Sequence, residues 1–352
     1  MSLQWKQANA FLATGQLRRT FAFGFRFIHA VVRLALMNPR SAKQVFICAV
    51  ALSFATGRLV LGNIDITLDN AFIDKVKDAV TIDASFIVDK AHKQPNPAIK
   101  DGDLHVAGRA KEVKLPMVAE VMNARSQPAT AAVEAIHQAE GSNHSLPITG
   151  VWRLWCEHGG ETEQIQGDPL TAFKTTNPPH VFQIHPITSV AGSSIIESVH
   201  QVEGYDAKDA ESAFEKYEAL RCHVEIVSTK KTSVTTTMAG YNYVKFVCRP
   251  SAPKRQLQDG TAVYAEIANL EGALLVHRRR MLFPKGSAAE QALNNLQENQ
   301  EMVVLGIPRI SLRLIAWRRD HAKTNKKALD WGLPYEIVVV GCYETRPKSD
   351  ED

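Results

Sequence analysis

The sequence predicts a mostly β protein with a few helices, built as tandem OB-like Greek-key barrels. Three observations lead there. Short apolar or alternating runs bounded by turn residues recur from residue 80 onward, the signature of strands. Between residues 80 and 190, three such runs, an alanine-rich helix and two more runs follow one another. That is the element order of a five-stranded OB-type barrel, with its helix between strands three and four. The second half repeats helix, three strands, helix and strands, although the two halves share no sequence identity. A single larger β-barrel or sandwich with decorating helices is the competing architecture, because any β-rich chain offers such spacings.

Taken in order, Asn70–Lys77 reads as a short amphipathic helix, and VTIDASFIVD (Val80–Asp89) as the first strand of the first barrel. A Pro-bearing loop, 93–100, separates it from strands at Leu104–Arg109 and Pro116–Met122. Ala129–Ala139 follows Pro128, which suits the first turn of a helix. Strands at Ile148–Cys156 and Val181–Val190 complete the barrel. In the second half Ala207–Leu220 is helical, with Phe214, Tyr217 and Leu220 on one face. Strands are expected at His223–Ser228, Tyr243–Cys248, Ala262–Ala268 and Leu274–Phe283. A helix at Ala288–Glu298 and strands at Glu301–Leu305 and Tyr335–Gly341 follow. The expected organisation is a leader or membrane-proximal segment at 1–64, barrels at 65–199 and 200–345, and a disordered tail at 346–352.

Composition sets the limits. The 352 residues are 45% apolar and 22% charged, near globular averages, which excludes a disordered, collagen-like or multi-span membrane chain. Five cysteines are too few for a disulfide-framework miniprotein. A disulfide between Cys222 and Cys248 and a pair of buried thiols are equally compatible with the sequence. The net charge of +4 averages unlike parts: residues 1–64 hold eight basic residues and no acid. Val45–Thr56 is uncharged and has the length of a secretory h-region, with Arg40 and Lys43 before it and Ser53-Phe54-Ala55 as a cleavage site. Met37 then competes with Met1 as the start. Residues 1–36 also fit a transit peptide, and 21–62 a segment in transient contact with a membrane surface. Export to the periplasm or the extracellular space is the expectation. The remaining chain holds 33 basic and 37 acidic residues, a balance that disfavours a nucleic-acid surface.

Three segments could carry chemistry. In Asp101-Gly102-Asp103-Leu104-His105 a turn opens a strand, and the two-residue period puts Asp103 and His105 on one face. In the run from Trp152 to Gly160, alternation puts Arg153, Trp155 and Glu157 on the face opposite Trp152, Leu154 and Cys156. His158 ends that strand, and Trp155 beside Arg153 could stack a base or sugar ring or simply pack. His185 precedes Pro186, which holds it extended. His105, His158 and His185 together could ligate a divalent metal such as Zn²⁺, or one could serve as general base beside a carboxylate. His105 and His185 are expected to share a pocket at the mouth of the first barrel. Phosphate loops, G-x-S-x-G, H-E-x-x-H and C-x-x-C are all absent.

The ordered set DGDLHVAGR, LPMVAEVMNA, ITGVWRLWCEHGG and HVFQIHPIT resembles a pattern of uncharacterised bacterial exported proteins with G-D-x-H and I/L-H-P strand motifs. The resemblance implies an OB-like barrel and places Asp103, His105, Glu120, His158 and His185 on matching positions. Gln183 stands where that pattern has an acidic residue. No established activity comes with it. The expected role is an exported ligand-binding protein of unknown ligand. The rivals are a metal-dependent hydrolase, of phosphodiesters for example, that uses the first barrel's His/Asp cluster, and a structural component of a surface assembly.

Overall fold

Strand β1 (Asn63–Asp69) opens the part of the chain that the computed structural model describes, residues 63–160, 163–322 and 329–348. The h-region, both start candidates and residues 1–62 of the expected leader lie outside those residues, while its last two, Asn63 and Ile64, belong to β1. After β1 come α1 (Asn70–Val76), β2 (Thr81–Ala91), β3 (Leu104–Ala110), β4 (Met117–Val121), α2 (Thr130–Ala139), β5 (Ser145–His158), β6 (Gln164–Ile165) and β7 (His180–Val190). A middle stretch holds β8 (Ser193–Ser194), β9 (Lys208–Asp209), α3 (Ala210–Ala219), β10 (Arg221–Ile226) and β11 (Lys231–Thr237). The rest comprises β12 (Val244–Pro250), β13 (Arg255–Gln256), β14 (Gly260–Ala268), β15 (Leu274–Pro284), α4 (Ala288–Asn295), β16 (Gln300–Ile310), α5 (Leu312–Asp320), β17 (Leu329–Gly332) and β18 (Tyr335–Pro347).

Two rings of strands close. In the first, β2 pairs antiparallel with β3 and β5, β3 with β4, and β5 with β7, while β4 and β7 run parallel and seal the barrel. Helix α2 lies between the third and fourth strands of this ring, as an OB-type barrel requires. The second ring repeats the scheme with β12, β14, β15, β16 and β18: β15 and β18 are the parallel pair, and α4 lies between third and fourth strands. Closure removes the open edges that a free sheet would expose. The mostly β class and the barrel topology are therefore as the sequence predicts.

A third sheet, β17-β10-β11-β1-β6, lies outside both rings. It corrects the placement of His223–Ser228, which the sequence reading put in the second barrel. That segment is β10, paired with β11 and β17, and β11 pairs in turn with β1. The reason is the Thr-rich β11, whose Thr232, Val234 and Thr236 alternate as buried residues and make it a half-buried strand between two neighbours. Each barrel sends one strand to this sheet from the segment before its last strand, β6 and β17. The final strand β18 continues through Arg346 and Pro347, which the sequence reading had assigned to the tail.

The barrels meet side to side. Val80, Met122 and Val151 of the first half pack with Ala262, Leu282, Leu305, Ile307, Val338 and Val340 in one apolar layer. Beside that layer the buried Arg309 guanidinium donates to the carbonyls of Ala79, Val80 and Trp152 and stacks 3.5 Å from the Trp152 ring centre. Burial lowers Arg309 to about 10, although Glu336 pulls the other way. Cys222 on β10 and Cys248 on β12 stand in different sheets as thiols, so no disulfide joins them.

Candidate functional site

Register brings the chemistry-bearing side chains together. His105 on β3 lies directly opposite Glu120 on β4, and Arg153 on β5 opposite Gln183 on β7. The parallel β4–β7 ladder then sets Glu120 alongside Gln183 and His185. Each of these alternates with a barrel-core residue: Leu104 and Val106, Ala119 and Val121, Phe182 and Ile184. The polar set therefore occupies the outer wall of the first barrel, not its mouth as expected, because the opposite parity fills the core. Tyr243, just before β12, covers it.

Asp101 builds the entry. Its Oδ1 accepts from the Asn96 side chain at 2.9 Å and from the Asp103 N–H at 3.1 Å, closing a turn in which Gly102 takes φ +72°. Asp103 and His185 are completely buried, and Glu120 is 1% exposed. The Tyr243 hydroxyl donates to Asp103 Oδ2 at 2.7 Å and lies 2.8 Å from His185 Nε2. With that hydroxyl proton committed to Asp103, His185 donates from Nε2 and its Nδ1 carries a lone pair. This Nδ1 faces Glu120 Oε2 at 3.7 Å, and His105 Nε2 approaches the same oxygen at 3.4 Å. Asp103 Oδ1, Glu120 Oε2, His105 Nε2 and His185 Nδ1 are all buried without a hydrogen-bond partner. Ligand atoms of Asp103, Glu120 and His185 lie within 4.8 Å of one another.

A dry cluster of acceptors demands positive charge. Burial, with Asp101 nearby, pushes the Asp103 carboxyl well above the usual carboxylate range. Burial pushes His185 down despite the pull of Glu120. At His105 burial also opposes charge, but Glu120, Asp101 and Asp103 outweigh it and raise the imidazole to about 9. The positive charge in the cluster therefore rests on His105 at its edge, next to His92, whose ring stacks on it at 5.0 Å.

The other expected residues go elsewhere. Gln183 bridges the cluster to Arg153: it accepts from Arg153 and donates to Glu120 Oε1 at 2.8 Å. An acid at position 183 could not make the second bond, which is a physical reason for the amide there. Arg153 also donates to Glu157 at 3.1 Å and to the Pro308 carbonyl of the second barrel at 2.9 Å. His158 stacks on His180 at 5.1 Å and lies 3.8 Å from Glu157, so it is not among the three converging ligands. Trp155 is 2% exposed and packs edge-on against Tyr217 at 5.3 Å, a core contact, not a stacking platform open to solvent. Sequence reasoning missed Tyr243, which joins the site from 140 residues away and carries no local signal.

Two surface clefts, of 460 and 860 Å³, are lined by none of these cluster residues. Among the described residues no helix is long and apolar enough to cross a membrane. No protein family, curated protein or solved structure matches the chain. The resemblance to exported bacterial proteins thus rests on the short motifs alone.

Proposed function

We propose that this is a non-catalytic binding protein of two OB-like barrels in which Asp103, Glu120 and His185 take one divalent cation. The observation that carries the reading is the buried group of Asp103, Glu120 and His185, each offering a ligand atom within 4.8 Å of the others and each keeping one buried side-chain atom without a hydrogen-bond partner. A nitrogen and two carboxylate oxygens form a set that suits Zn²⁺ or a similar ion, with the His105 imidazole at the edge of the group. The Tyr243 hydroxyl on His185 Nε2 supplies the outer partner that orients a metal-binding imidazole. Because Tyr243 belongs to the second half of the chain, such a cation would tie the first barrel's wall to the segment that enters the second barrel.

The hydrolase reading uses the same residues but needs a ligand position open to substrate. Exposures of 0, 0 and 1% for the three ligands argue for a closed, structural ion instead. Metal analysis of the purified full chain tests the proposal, with Glu120→Gln as the comparison. One equivalent of a divalent metal in the wild type, lost in the variant, is the expected result. A metal-free wild type that also takes up no Zn²⁺ on dialysis would overturn it.

A further inference from the structure

A second site lies in the 460 Å³ cleft between β15 and α5, away from the acid cluster. Five basic and two acidic side chains line it, with Tyr264, Trp317 and Tyr335 among the rest. Its floor holds an unbalanced charge. Glu336 is fully buried and serves two guanidinium groups: Oε1 accepts from Arg309 at 2.8 Å and Oε2 from Arg280 at 3.0 Å. Among the described residues no second carboxylate contacts either arginine. Arg280 is 7% exposed at its side chain, lines the cleft, and has a buried NH2 without a partner. An unpartnered guanidinium nitrogen in that setting calls for an acceptor.

The helix beside it adds a second, independent donor. Ser311 stands at the cap position of α5, yet its hydroxyl is turned to Glu336 Oε2 at 3.3 Å and makes no bond to the helix's own N–H groups. The first turn has no acidic residue of its own, the nearby carboxylates being Glu336 at the cap and Asp78, 3.7 Å from Arg313, and Ser311 and Arg313 face the cleft beside the helix N-terminus. Arg278 is exposed at the rim, its guanidinium 4.6 Å over the Tyr264 ring. Trp317, 46% exposed, lines the other side, with one ring face stacked on His321 at 4.4 Å.

We infer that this cleft binds the phosphate of a small phosphate monoester, with Arg280, Arg278 and the α5 N-terminus on the phosphate and Trp317 against a planar group of the ligand. The site extends the reading as a binding protein but shares no residue with the cation site. Failure of cation binding therefore leaves it standing, and its own failure leaves the cation site untouched.

Titration of the full chain with phenyl phosphate, inorganic phosphate and phenol, followed by calorimetry, tests the inference. Phenyl phosphate is expected to saturate, inorganic phosphate to bind more weakly, and phenol not at all. Arg280→Gln should weaken phenyl phosphate at least about tenfold. Because Arg280 is buried and that variant could lose its fold, Arg278→Glu at the exposed rim is the second variant, with the same loss expected. Trp317→Ala should remove the advantage of phenyl phosphate over inorganic phosphate. Absence of saturable binding by either phosphate, or unchanged affinity in a folded Arg278→Glu protein, would overturn the inference.

Discussion

The Tyr243 hydroxyl links the two residues that most need a partner, Asp103 and His185. Tyr243→Phe removes the donor to a buried carboxylate and the acceptor for a buried imidazole while keeping the ring. It should cost about 1–3 kcal/mol in urea unfolding and lower Zn²⁺ affinity about 10–100-fold by the outer-partner rule. A variant unchanged in both would show that the hydroxyl is a bystander. His180 gives a pH signature. Its Nδ1 donates to the Pro178 carbonyl at 2.7 Å, its Nε2 lies 3.2 Å from the Gln183 amide, and burial lowers it to about 3. The unfolded chain, at the ordinary value of 6.5, takes up the proton first. This group's penalty is therefore absent above about 6.5 and grows as pH falls from there towards 3, by up to about 1.4 kcal/mol per pH unit. Unfolding free energies measured across that window should slope less steeply in His180→Asn. At this scale the sequence disclosed Asp103 and His105 through strand parity, whereas Tyr243 and Gln183 act through partners set by tertiary register.

Local order along each element was the most legible part. The strands and helix of the first barrel follow from apolar runs and turn residues; β3 at Leu104–Ala110 falls within a residue of the pattern, whereas β5 runs Ser145–His158, three residues earlier and two later than expected. The third sheet was illegible for a physical reason. Its strands come from four separate connections, and β1 begins at Asn63, where a leader had been expected to end. The run KTSVTTT of β11 did carry a signal in its alternating β-branched residues. Helix α4 offers a test of an element by itself. Ser287 accepts from the Glu290 N–H at 3.2 Å, and Glu290 returns a bond to the Gly286 N–H at 2.7 Å. Ser287→Ala should therefore cost about 1 kcal/mol, read as a lower urea midpoint with unchanged slope. A midpoint equal to wild type would mean that the cap contributes nothing.

For the whole molecule, the two barrels are held by an apolar layer and by side chains that cross it, Arg309 foremost. Three carbonyls of the first half accept from that one guanidinium, and Glu336 neutralises it. Arg309→Met strips donors from the carbonyls while Glu336 keeps Arg280, and should destabilise the chain by about 3 kcal/mol or more. A loss below about 1 kcal/mol would place the junction's strength in the apolar layer alone. The acid cluster is the other crossing point, where Tyr243 from the second half meets Asp103 and His185 and a cation would sit. Thermal melting of the metal-stripped full chain with and without Zn²⁺ tests that most directly. Binding only to the folded state predicts a melting temperature that rises with Zn²⁺ concentration, about 2.7 kcal/mol of added stability at a hundredfold excess over Kd. Glu120→Gln should abolish most of that rise. A wild-type melting temperature indifferent to Zn²⁺, or a rise that persists undiminished in Glu120→Gln, would contradict the account.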